Sequence, residues 1–215
     1  MFSKLFGKKD TNTKPKAPEI MGLYLGGSFE LDDLNLKLIE PLLTIDGAAR
    51  QHIIQAVGEA HLDTGGKILR FYTDDDAFLQ VVLDGGETES HITDVKLWYF
   101  YETKTVGSKQ QWDQLINEQV STPLYTLAGN TFNRVWDAIG DESPPVAMTE
   151  KTYELDGDVS ETDQFVMLYE REINAQQSET LLVSAEEKII NNNHDRCLVI
   201  STGFDVLPAD IKING

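Results

Sequence analysis

The sequence predicts a β-rich α+β protein, mainly antiparallel sheet, with a meander at about 52–103 and one clear amphipathic helix at about 108–120. Three observations carry this. Apolar and polar residues alternate through most of 52–103, the period of a half-buried strand. Clusters of Asp, Gly and Asn punctuate those runs as turns do. Only the stretch after Ser108 has a sustained three-to-four-residue apolar spacing behind a capping residue.

Taken in order, residues 1–17 read as a basic flexible tail. Residues 1–16 hold Lys4, Lys8, Lys9, Lys14 and Lys16 against Asp10, and Thr11 to Pro18 is a polar linker without periodicity. Met1, Phe2, Leu5 and Phe6 fall on one side of a short helix. Two turns of helix are marginal in water, so membrane contact through residues 1–9 is expected to be weak at most. Gly22, Gly26 and Gly27 then suggest short strands or a turn. Leu34, Leu36, Leu38, Leu42 and Leu43 fit helix and strand equally.

In HIIQAVGEAHL, Ile54, Ala56, Gly58, Ala60 and Leu62 share one parity, and Gln55, Glu59 and His61 the other. After the turn Asp63-Thr64-Gly65-Gly66, KILRFYT alternates again. Pairing Leu62 with Lys67 sets Ala60 opposite Leu69 and Glu59 opposite Arg70, so that both faces agree in character. Beyond Asp74-Asp75-Asp76, a third strand places Leu79 opposite Phe71 and Val81 opposite Leu69. The fourth carries Val95, Leu97, Tyr99 and Tyr101 on one side, with Trp98 and Phe100 on the other. A strand apolar on both sides is expected to be central, covered by the helix at 108–120, the alternative being an aromatic patch presented to a partner.

In that helix, Trp112, Leu115, Ile116 and Val120 form the apolar stripe. NTFNRVWDAIG leans to strand, and GDESPP (140–145) is the one internal break with boundary composition. VAMTEKTYEL, DQFVMLYEREI, ETLLVSAEEKII and RCLVISTGFDV read as further strands, with a hairpin loop at 191–195. Residues 18–215 are thus expected as one domain, with 140–145 as the candidate division into two lobes.

Charge and cysteine content narrow the function classes. The 215 residues hold 36 Asp+Glu and 18 Lys+Arg, net −18; the tail is +4, which leaves −22 on the body. Nucleic acid is not an expected ligand, because phosphate contacts need clustered Lys and Arg. No run approaches the ~18 apolar residues of a membrane span, the first residues lack the apolar stretch of a secretory signal, and the single Cys197 cannot form an internal disulfide. A cytoplasmic location is the expectation.

Catalytic motifs return near misses. Gly22 and Gly27 have phosphate-loop spacing, but Ser28-Phe29 stands where Lys-Ser/Thr is needed. His52, His61, His91 and His194 include no zinc-type pair, and no cofactor is expected. Asp156 and Asp158 begin like a calcium loop, yet Glu161 replaces the turn glycine and Met167 the bidentate Glu. Asp74 and Asp76 offer a second acidic loop for a divalent cation. The richest constellation is the polar sheet face on which Glu59, His61, Arg70 and Tyr72 are expected together, joined by Gln55 and Asp74. An acid, an imidazole, a guanidinium and a phenol suit acid–base chemistry or a polar ligand, although an exposed Glu59–Arg70 pair is the plainer account.

The segments RFYTDDDAFLQV, FNRVWDAIGDESPPVAMTE and CLVISTGFDVLPADIKI, with the start MFSKLFGKK, resemble the YjfK-like bacterial proteins, a family of unknown function. The resemblance implies a bacterial cytosolic protein and an accessory role beside a membrane-associated or envelope-stress complex. It supplies no catalytic residues. The leading expectation is therefore an acidic accessory protein that binds a protein partner. The alternatives are an enzyme or small-ligand binder using Glu59, His61, Arg70 and Tyr72, and divalent-cation binding at the acidic loops.

Overall fold

Asp32 settles the leucine-rich stretch as helix. Its carboxylate accepts hydrogen bonds from the backbone N–H groups of Leu34 and Asn35 at 2.9 and 3.1 Å, satisfying donors that a helix start leaves open. In the computed structural model, which describes residues 15–63, 65–136 and 143–214, β1 (Ser28–Leu31) leads into this helix, α1 (Asp33–Ile39). The expected meander follows as β2 (Gln51–His61), β3 (Lys67–Thr73), β4 (Ala77–Leu83) and β5 (Ile92–Thr105). Ser108 caps α2 (Lys109–Gln114) by accepting from the Gln111 N–H at 3.2 Å, and a π turn carries the helix on to Gln119.

NTFNR forms a strand, β7 (Asn130–Arg134), paired with β6 (Leu124–Leu127). Then come β8 (Val146–Glu154), β9 (Val159–Asn174), β10 (Gln177–Ile190), β11 (Asn193–Asp205) and β12 (Ile211–Asn214). The β10–β11 turn is shorter than the expected loop. Asn191 and Asn192 both take positive φ (52° and 61°), the geometry of a two-residue hairpin turn.

The strands do not lie in an open sheet. β2, β3, β4, β5, β11, β10, β9 and β8 are hydrogen-bonded in that order, and β8 pairs back onto β2. This is a closed ring of eight antiparallel strands, in which a ring strand has no unpaired edge over its paired length. β1 and β12 extend outward from β2, and β7 and β6 from β9.

Three apolar clusters follow from the closure. Ala60, Ile68, Phe78, Trp98, Met148, Val166 and Leu182 fill the barrel. The outward residues of β2–β5, among them Val57, Phe71, Leu79 and Leu97, are covered by Ile20, Leu23, β1 and α1. The outward residues of β9–β11 lie under Trp112, Leu115 and Val120 and under β6–β7. The helix at 108–120 therefore covers β9–β11 and not β5, a correction to the expected layering. β5 is apolar on both sides because Trp98 faces the barrel interior, while Val95, Leu97 and Tyr99 face the N-terminal cover.

One register also differs from expectation. Phe71 does oppose Leu79, and Leu69 opposes Val81. In the β2–β3 pair, however, His61 and not Leu62 opposes Lys67, so Gly58 faces Arg70 and Glu59 faces Leu69. Leu62 belongs to the turn, where its N–H donates to Gly66 O and its carbonyl accepts from Gly65, whose φ is +92°. A one-residue slip changes which side chains share a face. The small row Ala56, Gly58 and Ala60 then opposes Tyr72, Arg70 and Ile68, and it leaves room inside the barrel for the two largest of them. The 140–145 break overlaps positions outside the described residues, and strands from both sides of it enter the one ring.

Candidate functional site

The barrel interior is divided into a polar zone and an apolar zone. Arg70, on β3, is the centre of the polar zone, with its side chain 4% exposed. Its Nη1 donates to Glu150 Oε2 at 2.6 Å and to Gln164 Oε1 at 2.8 Å, and its Nε donates to Gln80 Oε1 at 3.0 Å. Tyr72 donates its hydroxyl to Glu150 Oε1 at 2.6 Å. Gln164 Nε2 reaches Glu186 Oε1 at 3.4 Å. The guanidinium also lies 5.4 Å from the centre of the Phe78 ring, within cation–π range.

Local backbone makes this possible. A Cβ at Gly58 would run into the Glu150 carboxylate and come within 3.1 Å of the Tyr72 ring. Only glycine lets the phenol and the carboxylate meet across β2.

The titration of these groups follows from burial and mutual charge. Burial alone would lower the Arg70 pKa, but Glu150 and Tyr72 outweigh it and hold the guanidinium firmly charged. Burial, reinforced by Glu150, pushes the Tyr72 phenol well up, so it keeps its proton as a donor. Burial also raises the Glu186 carboxyl. Cys197 is pushed up to about 11 by burial, with Glu186 and Asp195 adding to it, which disfavours the nucleophilic thiolate.

Beyond Arg70 and Gln80 the interior becomes an apolar-walled cavity of about 390 Å³, bounded by Ile68, Val82, Met148, Val166, Leu182 and the indoles of Trp98 and Trp136. Lys96 also lines it, held by Asp94 at 3.1 Å and by Asp205. Arg70 and Gln80 thus form the boundary between a hydrogen-bonded network and an apolar hole.

A family model described as a protein of unknown function (DUF2491) matches residues 1–212. The chain belongs to that family. Uncharacterized protein YjfK of Escherichia coli (strain K12) is 31% identical to it over 191 residues, which cover 86% of this chain and 85% of the relative. No solved structure matches.

Of the four residues expected on one face, the barrel brings together Arg70 and Tyr72 and separates Glu59 and His61 from them. Glu59 points outward, its Oε1 2.8 Å from Lys67 Nζ and its Oε2 accepting from the Tyr153 hydroxyl at 3.4 Å. The His61 side chain is 70% exposed, 3.7 Å from Glu59. In each acidic loop one candidate carboxylate accepts a local backbone N–H. Asp74 accepts from the Ile53 N–H at 3.0 Å. Asp76 takes a positive φ of 56° in the turn. Asp75 lies 2.9 Å from Nδ1 of the fully buried His52. Burial would raise the Asp75 carboxyl, but hydrogen bonds to His52 and Thr73 outweigh that and lower it. Asp156 accepts from the Asp158 N–H at 2.9 Å in the β8–β9 turn. Among the described residues no group of three or more His, Cys, Asp or Glu is placed to hold a metal, and no helix is long and apolar enough to cross a membrane.

Gln80, Glu150, Gln164, Glu186 and Trp98 are the interior residues that the sequence-based site left out. Gln80 interrupts an apolar alternate row between Phe78 and Val82, and Gln164 stands directly before Val166 and Leu168, whereas Glu150 is followed by Thr152 and Glu154 and Glu186 lies between Ser184 and Lys188. That interruption marks Gln80 and Gln164; no local pattern marks Glu150 or Glu186.

Proposed function

We propose that this protein binds a small, largely apolar molecule inside the barrel, next to the Arg70–Glu150 network. The observation that carries the reading is the 390 Å³ apolar-walled cavity in the interior of an eight-stranded ring. Barrels of this strand number hold either packed side chains or one small ligand, and ligand pockets typically run from about 300 to 1,000 Å³ with few polar groups. The polar zone fits a binding role better than acid–base catalysis. Arg70 is committed to Glu150, Gln164 and Gln80, and the Tyr72 proton is held by burial and by Glu150. This is the ligand-binding alternative of the sequence reading, moved from an open sheet face into the barrel.

Trp98 and Trp136 both line the cavity, so intrinsic fluorescence reports on it. Titration with short aliphatic and aromatic compounds should give a saturable 1:1 change. Val82→Phe, which fills part of the cavity from its wall, should weaken that binding while the fold persists by circular dichroism. No saturable signal from the native protein up to the solubility limit of every compound would remove the reading.

A further inference from the structure

We propose that the molecule held in the barrel cavity carries a neutral carbonyl, and that the side-chain amide of Gln80 recognises it; this rests on the ligand-binding reading above. Gln80 sits on β4 at the cavity wall and is 7% exposed. Its orientation follows from its neighbour. Arg70 Nε–H can only donate, and it lies 3.0 Å from Gln80. Gln80 must therefore present Oε1 to Arg70, which leaves its NH₂ on the other side. Among the described residues that NH₂ donates to nothing, whereas the equivalent amide of Gln164, oriented by the same guanidinium, has Glu186 to donate to. The indole N–H of Trp98 also has no acceptor, but Trp98 is fully buried, so that N–H is closed to an occupant and Gln80 is the accessible donor.

Buried polar groups are almost always paired. The Gln80 amide borders an apolar cavity with its single oxygen already used, so its N–H groups call for an acceptor on the occupant. The charges around the cavity decide which acceptor. Arg70 and Lys96 line it, but so do Asp63 and Asp94. Arg70 is paired with Glu150, and Lys96 with Asp94 and Asp205. No cationic surplus is left for a carboxylate, and the body around it is strongly acidic. A ketone, ester or amide oxygen meets the Gln80 N–H groups without bringing a charge into the barrel.

The test compares three probes of similar size, 2-octanone, octanoate and n-octane, by Trp fluorescence on the full chain. The ketone should bind at least about tenfold more tightly than either of the others, the margin of one hydrogen bond to a buried donor. Gln80→Met, which keeps the volume and removes the donor, should bring the ketone down to the octane level. Gln80→Glu keeps an acceptor for Arg70 but replaces NH₂ by oxygen, and it should lose the ketone preference as well. Thermal melts of both variants establish that they are folded. Equal binding of ketone and octane to the native protein overturns the carbonyl inference and leaves the cavity reading intact. Tighter binding of octanoate overturns the neutral assignment. A ketone preference that survives in folded Gln80→Met overturns the role of Gln80. If none of the three binds, this inference falls together with the reading it rests on.

Discussion

Arg70 has no way to leave its charge in water. Its side chain and that of Glu150 are 4% and 3% exposed, and they meet at 2.6 Å. A buried pair of this kind adds little net stability compared with apolar residues that pack as well, because both ions are desolvated, but removing one partner strands the other. Arg70→Met is therefore expected to cost about 3–5 kcal/mol, seen as a lower midpoint in urea. It also takes away the donors that orient Gln80 and Gln164. Adding Glu150→Leu to Arg70→Met should restore most of the loss, since no lone carboxylate then remains beside Tyr72. A single variant as stable as the native protein would contradict the pairing.

At the scale of the strand, closeness of backbones decides what fits. On β11, a Cβ at Gly203 would stand 2.6 Å from the Leu97 carbonyl oxygen and 2.7 Å from the Trp98 ring. The glycine lets β5 lay its indole across β11 inside the barrel. Gly203→Ala has rigid neighbours to displace, and overpacking of this sort costs about 1–3 kcal/mol. It should lower the melting temperature and shift Trp98 emission; an unchanged melt would refute the contact. The same scale explains what was legible in the sequence. The β3–β4 register was readable because Phe71, Leu79, Leu69 and Val81 are strongly apolar and the three-residue turn admits one matching alignment. The β2–β3 register was not, because Ala56, Gly58 and Ala60 are small on one parity and Leu62 looks like their continuation. Only the Gly66 carbonyl, which takes the Leu62 N–H, assigns that leucine to the turn. Arg70 and Tyr72 are legible as polar residues alternating with apolar ones, but the sequence pattern does not lead to their companions. Their true partners, Glu150 and Gln164, lie 80 and 94 positions away from Arg70. No local pattern links positions that far apart before the ring is closed.

For the whole molecule, closure depends on β8. It pairs with β2 from Glu150 to Glu154 and with β9 from Val146 to Tyr153, while β5 joins β11 on the opposite side of the ring. The ring strands before 137 thus join those after 142 along two separate seams, with β1–β12 and β7–β9 pairing outside the ring, and the Arg70–Glu150 and Arg70–Gln164 bonds cross between them inside. Neither portion holds a complete barrel. Residues 18–140 alone would expose the edges of β2 and β5 together with the interior row Ile68, Phe78 and Trp98, an arrangement prone to edge-to-edge association. Pairings this distant in sequence also carry a large loop-closure cost before they contribute stability, which slows folding. The expected outcome is a single cooperative urea transition for residues 18–215, with tryptophan fluorescence and far-ultraviolet circular dichroism superimposing. A fragment of residues 18–140 should lack native-like dispersion in a ¹H–¹⁵N spectrum or aggregate. A folded, monomeric fragment, or two transitions that separate by probe, would instead make 140–145 a boundary between independent lobes, and the cavity a feature of their contact and not of one closed barrel.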